Sequence, residues 1–256
     1  MNKVIKQLLN RRSVRAFDTK DINKEDLSLI KQSILRAPTA GNMCFYSVII
    51  VNDQYKKDEL SLLCDNQPMI AKAPLVMVFL ADMQKHMDYF KYSNCEEKSK
   101  IPNRLPGLGD FHLAMQDAIV AAQSAVVAAD SLNIGSCYIG DIVENFERVQ
   151  SLLALPNHAV PAAMLIMGYK KDNKEKKLLD RCDIDALFME DSYKSKSKEE
   201  LDVEWSKPLE HLKKTNRVPY EDATMADCFY TKKYTSTFME EMNRSTSVFI
   251  NKWLDK

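Results

Sequence analysis

The sequence lacks the two glycine-rich motifs by which many proteins hold a nucleotide phosphate. Neither a Gly-x-Gly-x-x-Gly fingerprint nor a phosphate loop ending in Gly-Lys-Ser/Thr occurs in its 256 residues. Because these motifs mark the ordinary Rossmann and P-loop classes, both classes are disfavoured. The residue spacing also indicates no Ser/His/Asp arrangement and no pair of carboxylates. No catalytic side chain is therefore predicted.

Closely spaced metal ligands and paired cysteines are missing as well. The cysteines include no C-x-x-C pair, whereas a disulfide framework or a zinc site needs closer spacing. The histidines are equally scattered, so no metal site is predicted. These residues are Cys44, Cys64, Cys95, Cys137, Cys182, Cys228, His86, His112, His158 and His211. The pattern favours reduced thiols in a cytoplasm.

The chain has no excess of charge of either sign. It contains 36 basic and 36 acidic residues, so neither a nucleic acid nor a membrane is expected as a partner. The first residues lack the apolar core of a signal peptide. The most apolar predicted helix, over 111–132, is interrupted by polar residues such as Asp117, which indicates a buried helix and not a membrane span.

One local basic stretch stands out against this neutral background. Arg11-Arg-Ser-Val-Arg15 places three guanidinium groups and a hydroxyl within five residues. A guanidinium matches phosphate oxygens bidentately, and a serine hydroxyl donates one more bond. In an extended stretch, Arg11, Ser13 and Arg15 would point to one side. The alternative interpretation is a solvated basic turn after a first helix.

The apolar periodicity predicts helices and strands in an α+β order. Asn23 is expected to cap the second helix, which should end before Pro38. An irregular connection is predicted over 82–110, either a lid or a disordered loop. The predicted helices are 2–10, 24–37, 56–64, 111–132 and 145–155. The clear strands are 47–51, 74–80 and 160–169, and 136–140 is a short apolar segment that ends in glycine.

The character of the chain changes near residue 190. Residues 191–216 are charged, and the tail over 220–256 is rich in aromatic residues that need a surface to bury against. We therefore expect a domain over 1–190 and an extension over 191–256. The extension is expected to pack on its own domain or on a second subunit.

Five short motifs in order resemble those of the nitroreductase family. They are Arg11-Arg-Ser-Val-Arg15, Ala37-Pro-Thr-Ala-Gly-Asn42, Asn66-Gln-Pro68, Tyr138-Ile-Gly-Asp-Ile142 and Pro161 with Gly168-Tyr169. The resemblance implies a central, mostly antiparallel sheet surrounded by helices in an intertwined homodimer. It also implies FMN as the bound cofactor and NAD(P)H as the reductant. A cofactor that carries the chemistry would fit a chain so poor in acid–base signatures.

The resemblance also implies roles for individual residues in binding FMN. Arg11, Arg12 and Ser13 would bind its phosphate, and Arg15 would lie near the pyrimidine edge. Gln67 would bond the same edge, or alternatively its own backbone. The remaining cofactor-binding residues implied are Thr39, Ala40, Gly41, Asn42, Tyr138, Ile139, Gly140 and Arg181. Lys176 or Lys177 could assist Arg181 at the phosphate.

The function implied is a ping-pong transfer of hydride from NAD(P)H through FMN to an electron-poor acceptor. A nitroaromatic, a quinone or a free flavin would be such an acceptor. Two alternatives remain open from the sequence. One is another flavin chemistry, such as reductive dehalogenation or flavin breakdown. The other is a non-enzymatic flavin-binding or anion-binding regulatory module on the same scaffold.

Overall fold

The computed structural model describes residues 1–171 and 178–255 and divides the chain into two compact units. The first unit comprises Met1–Asn173 together with Met242–Lys256. The second unit is Lys174–Glu241. The predicted division near residue 190, into a flavin domain and an extension, stays a prediction.

The first unit is built on a four-stranded sheet in the order β1-β2-β4-β3. All three pairings are antiparallel, with Val48 opposite Phe79 and Tyr138 opposite Leu165. The strands are β1 Tyr46–Ile50, β2 Leu75–Asp82, β3 Ile134–Ile139 and β4 Ala159–Tyr169. The predicted α+β fold with an antiparallel sheet is therefore confirmed.

Helices surround this sheet, and their ends follow local capping rules. The first unit holds α1 Lys3–Asn10, α2 Lys24–Leu35, α3 Gln54–Leu63, α4 Pro68–Ala71, α5 Gln84–Tyr92, α6 Cys95–Ser99, α7 Leu108–Ser131 and α8 Phe146–Leu153. The Asn23 side chain accepts a hydrogen bond from Asp26 N at 2.7 Å and so caps α2 as predicted. The helix ends at Leu35, three residues before Pro38.

Two hydrophobic clusters form the core, one on each face of the sheet. On one face, Ile30 of α2 and the alanines of α7 pack against Met77 and Phe79. On the other face, side chains of α3, α4 and α8 cover Val76 and its neighbours. Since β2 is buried on both faces, its residues from Leu75 to Ala81 form a continuous apolar run and do not alternate with polar residues.

Helix α7 is long and apolar enough to span a membrane by length and composition. In the fold it packs on the sheet through small, fully buried residues, among them Ala118, Ala121 and Ala125. Small side chains allow the helix axis to approach the sheet closely. The helix is a core element of the first unit, as the polar interruptions predicted.

The connection between β2 and α7 is more ordered than predicted. The sequence indicated an irregular segment over 82–110, but α5 and α6 occupy Gln84–Tyr92 and Cys95–Ser99. Residues 100–107 are the irregular part. The prediction gave too much weight to Pro102, Pro106 and the nearby glycines, all of which follow the two helices.

The second unit is mainly helical. It contains α9 Lys198–Glu204, α10 Ser206–Lys214 and α11 Met225–Phe229, with short turns at Ile184–Ala186 and Tyr230–Tyr234. Trp205 packs edge-on against Phe229 with ring centroids 4.9 Å apart. Helix α12, Thr237–Trp253, begins in this unit and ends in the first. Its residues Phe249 and Trp253 are buried in the core of the first unit.

Candidate functional site

The basic stretch lies in an extended segment beside the edge strand β3. Val14 N donates to Ser136 O at 2.8 Å, and Asp18 N donates to Tyr169 O at 2.9 Å. Arg11 and Arg12 are half-buried, whereas Ser13 and Arg15 are exposed. The backbone is therefore fixed to the sheet while the hydroxyl of Ser13 and the guanidinium of Arg15 remain accessible to a ligand.

Two glycines of the sheet allow this close approach. A Cβ atom on Gly135 would lie 2.7 Å from Val14 Cβ, and one on Gly168 would lie 2.8 Å from Phe17 Cβ. Both distances are far below ordinary van der Waals contact. Gly168 belongs to the fifth predicted motif, and its role in the structure is to seat the segment that carries the first motif.

Arg11 lies within electrostatic range of Tyr138. Burial raises the pKa of the Tyr138 hydroxyl to about 12, and the positive charge of Arg11 opposes this shift. The hydroxyl donates to Gln123 Oε1 at 3.4 Å. Tyr138 is therefore protonated at neutral pH, and its O–H donor is directed to Gln123.

The loop that follows Pro38 has an unusual backbone. Gly41 and Asn42 both have φ of 58° and Cys44 has φ of 53°, values in the left-handed region that L side chains rarely adopt. Residues Ala40–Asn42 form one short helical turn. The predicted small-residue turn over 39–42 is thus a compact, strained loop that exposes Gly41 and Asn42.

A buried aspartate on α7 holds this loop, and no sequence pattern predicted this role for it. Asp117 is 5% exposed. Its carboxylate accepts hydrogen bonds from Ala40 N and Phe45 N, both at 3.0 Å, and from the Thr39 hydroxyl. In the sequence, Asp117 stood out only as an interruption of an apolar helix. The signal was there nonetheless, because a lone acid on a buried alanine-rich helix needs several donors.

A mostly apolar groove of about 640 Å³ runs between this loop and α7. Its walls are Pro38, Thr39, Ala40, Met115, Gln116, Asp117, Ile119 and Val120. Two of the predicted cofactor-binding residues, Thr39 and Ala40, therefore face a concave surface. A groove of this kind is suited to a flat, partly apolar ligand.

Gln67 makes the local contact that was the alternative prediction for it. Its side-chain Nε2 donates to Cys64 O at 2.9 Å, and its backbone N donates to Ser61 O at 2.9 Å. Its side-chain Oε1 accepts no hydrogen bond from the described residues. The side chain is thus held by its own turn, with one acceptor remaining.

The remaining predicted residues within the described ranges lie at the end of β3, in the turn that follows it and in the second unit. Tyr138 and buried Ile139 end β3, and exposed Gly140 begins the turn Gly140–Val143. Arg181 is an exposed residue of the second unit. Lys176 and Lys177 lie outside the described residues. Within 1–171 and 178–255, no group of three or more potential ligands could hold a metal ion.

An aromatic cluster that the sequence did not indicate adjoins the end of the loop. The His86 ring lies 5.0 Å from the Phe45 ring and 6.2 Å from the Phe90 ring. Burial, then the charge of Lys85, lowers the pKa of His86, although a hydrogen bond to the Met43 backbone and the charge of Asp82 oppose the shift. Its Nδ1 is buried without a hydrogen-bond partner among the described residues. His86 is therefore neutral at pH 7.

Taken together, the fold and site define an α+β protein with an antiparallel sheet and a basic segment at its edge. The model of the nitroreductase family matches residues 8–169. This match spans more than half of the chain, and the chain belongs to that family.

Curated relatives of the chain are named as flavin reductases and nitroreductases. An FMN reductase (NADPH) of Bacillus subtilis is 34% identical over 194 residues, which cover 75% of each chain. An oxygen-insensitive NADPH nitroreductase of Salmonella typhimurium is 28% identical over 69% of this chain and 70% of its own.

Solved structures resemble the whole chain. The NfrA1 nitroreductase of B. subtilis superimposes with a TM-score of 0.82 at 26% identity, covering 98% of this chain and 100% of its own. NfrA1 of B. megaterium gives 0.81 at 27% identity and covers 98% of both chains. The likeness therefore extends beyond the residues that the family model matches.

Proposed function

We propose that this chain is an FMN-dependent oxidoreductase that passes hydride from NAD(P)H to an electron-poor acceptor. The observation that carries the proposal is the basic segment, fixed by its backbone to β3 and β4 with Ser13 and Arg15 exposed. Family membership and relatives named as FMN reductases and an NADPH nitroreductase support the same conclusion. The acceptor class proposed is a nitroaromatic, a quinone or a flavin.

The residues present fit FMN in both charge and shape. Arg11, Arg12 and Ser13 would hold the phosphate, since guanidinium forks and a hydroxyl match its oxygens. The strained turn Thr39–Asn42 would line the flavin and its ribityl chain. Tyr138, Ile139 and Gly140 would contact the ring at the end of β3, and Gln67 would offer its side-chain oxygen, since its Nε2 donates to Cys64 O. The phosphate role that the resemblance implies for Arg181, a residue of the second unit, stays a prediction.

The protein would supply electrostatics and positioning, while bound FMN supplies the hydride chemistry. Arg15 would hold positive charge where negative charge develops at the pyrimidine edge, which favours acceptance of hydride. The groove beside α7 would hold a flat small-molecule ligand in place. No side chain is proposed to act as a general acid or base, because solvent can provide the protons.

We further propose that the chain works as a homodimer in the cytoplasm, without a nucleic acid or membrane partner. Supporting this, α1 exposes Val4, Ile5, Leu8 and Leu9, each between 46% and 60% accessible. Ile119 and Val120 of α7 are also exposed. Apolar faces of this kind are typical of an interface, and the proposed occupant is a second copy of the chain.

The deciding experiment is an absorption spectrum of the purified protein before and after anaerobic addition of NADPH or NADH. We expect flavin bands that bleach, and the faster nucleotide identifies the donor. Bands that never bleach would favour a regulatory flavin protein. A chain that takes up no FMN would overturn the proposal. A screen of nitroaromatic, quinone, flavin and halogenated acceptors would separate reduction from dehalogenation.

A further inference from the structure

We propose that Asp117 is a positioning residue that sets the conformation of the loop 39–45 and thereby the affinity for flavin. The inference rests on the proposed function, in which Thr39–Asn42 line the cofactor. Asp117 would act through the loop, whereas Thr39 and Ala40 would contact the ligand.

The first observation is that one carboxylate binds both ends of the loop. At one end it accepts from the Thr39 hydroxyl and from Ala40 N. At the other end it accepts from Phe45 N at 3.0 Å. Thr39 Oγ1 also accepts from Cys44 N at 2.8 Å, which joins the two ends directly. Asp117 and Thr39 therefore form a clamp around residues 40–44.

The second observation is the backbone strain inside that clamp. Gly41, Asn42 and Cys44 have φ between 53° and 58°. Glycine adopts this conformation freely and asparagine tolerates it, whereas Cys44 persists in it only where the surroundings over-determine it. The clamp provides that constraint, so its loss would allow the loop to relax toward ordinary backbone angles.

The chemistry of the clamp is specific to a carboxylate. An ionised aspartate only accepts hydrogen bonds, and here each of its three partners is a donor. Because the side chain is 5% exposed, water cannot readily replace a lost partner. An asparagine has the same shape, but its amide nitrogen would face at least one of these donors.

Tyr46 and Ser47, which follow the loop, are held by side chains other than Asp117. The influence of Asp117 is therefore limited to the loop. Lys85 Nζ donates to Tyr46 O, and the Ser47 hydroxyl donates to Asp82. The start of β1 should therefore keep its place when Asp117 is changed, and the effect should be confined to 39–45.

The test compares Asp117→Asn with Thr39→Val, Thr39→Ser and a matched control, Asp110→Asn. Asp110 is a second acid on α7, and it pairs with Arg104 at the start of the helix. The FMN dissociation constant is measured by flavin fluorescence, and the orientation of the ring by visible circular dichroism. Amide exchange at Ala40 and Phe45 is measured on the ligand-free proteins.

We expect Asp117→Asn to raise the FMN dissociation constant by roughly 10- to 100-fold, the range for a buried charged hydrogen bond. The flavin dichroism should change, and exchange at Ala40 and Phe45 should accelerate. Thr39→Val should act in the same direction because it lacks the hydroxyl. Thr39→Ser keeps the hydroxyl, so its amide exchange at Phe45 should match that of the wild type, and Asp110→Asn should change stability without changing the flavin signals.

Folded Asp117→Asn and Thr39→Val variants with unchanged flavin affinity, dichroism and amide exchange would overturn the inference. Should Asp117→Asn fail to fold, amide exchange at Phe45 in ligand-free Thr39→Val and Thr39→Ser still decides it, because that readout involves no contact between Thr39 and the flavin. The exchange measurement needs no flavin. Unchanged amide exchange in the variants would therefore refute the role of Asp117. A wild-type chain that binds no FMN would instead refute the proposed function.

Discussion

The two parts of the candidate site are held in place by different means. The basic segment is fixed by backbone hydrogen bonds to β3 and β4, such as Val14 N to Ser136 O at 2.8 Å. The loop 39–45 is held mainly by two side chains, the carboxylate of Asp117 and the hydroxyl of Thr39. Backbone bonds survive most side-chain substitutions, whereas a side-chain anchor is lost with one. We therefore expect the position of the basic segment to be disturbed only by substitutions whose added atoms push it away from the sheet.

The largest effect on the backbone-held part is expected from Gly135→Ala. The added Cβ would lie 2.7 Å from Val14 Cβ and 2.8 Å from both of its methyl groups, so the segment must move. We expect a loss of about 1–3 kcal/mol in the free energy of unfolding, as for overpacked sites, together with weaker FMN binding. Urea unfolding and flavin titration measure the two effects.

Gly109→Ala provides the control, since a Cβ there would meet nothing within 4 Å. Gly109 lies in the first turn of α7, where alanine is the better helix former. A change of less than about 1 kcal/mol in the stabilising direction is expected. Equal losses of unfolding free energy in both variants would show that the close contact between Gly135 and Val14 does not position the basic segment.

A smaller effect should come from the chemistry of the basic segment without a change in its backbone. Arg11→Lys keeps the charge but removes the planar fork that matches a phosphate. We expect the FMN dissociation constant to rise roughly tenfold, the equivalent of one charged hydrogen bond. Arg148→Lys, at an exposed arginine paired with Glu59 at 3.6 Å, should leave it unchanged. Binding that is equally tight in both variants would remove Arg11 from the phosphate site.

The smallest effect concerns the aromatic cluster at the end of the loop. Burial lowers the pKa of His86 in the folded chain, so the unfolded chain takes up a proton first as pH falls below about 6.5. Stability is therefore lost as pH falls through that window. Because His86 is partly exposed, we expect only a few tenths of a kcal/mol.

Unfolding of the wild type and of His86→Phe at pH 7 and pH 5 checks this expectation. The substitution keeps a ring against Phe45 but removes the titrating group. The wild type should lose more stability than the variant over this range. An identical pH dependence in both proteins would show that His86 does not titrate differently on folding.

The sequence predicted the parts of the fold that follow from local pattern. The apolar run of β2, the Asn23 cap and the end of α2 before Pro38 were all readable, because each depends on neighbouring residues. The basic segment could be recognised in the sequence as a motif, but its packing against Gly135 could not be predicted. That packing depends on a strand more than a hundred residues further along the chain.

The features that the sequence did not predict depend on long-range contacts. Asp117 meets its partners across 72 to 78 positions, so no local pattern connects them. The helix α5 was missed because the prolines and glycines that follow it suggested a loop. The contact of Gln67 with Cys64 was one of two predictions, and nothing in the sequence could choose between them.

The positions of the two tryptophans have a practical consequence for spectroscopy. Trp253 is fully buried in the first unit, between Phe111 and His158 and with its indole N–H donating to Gly107 O at 3.2 Å. Trp205 lies in the second unit beside Phe229. Each unit therefore carries its own intrinsic fluorophore. A Trp205→Phe chain would report on the first unit alone, with blue-shifted emission from a dry environment, and the melting of each unit could be followed without an added dye.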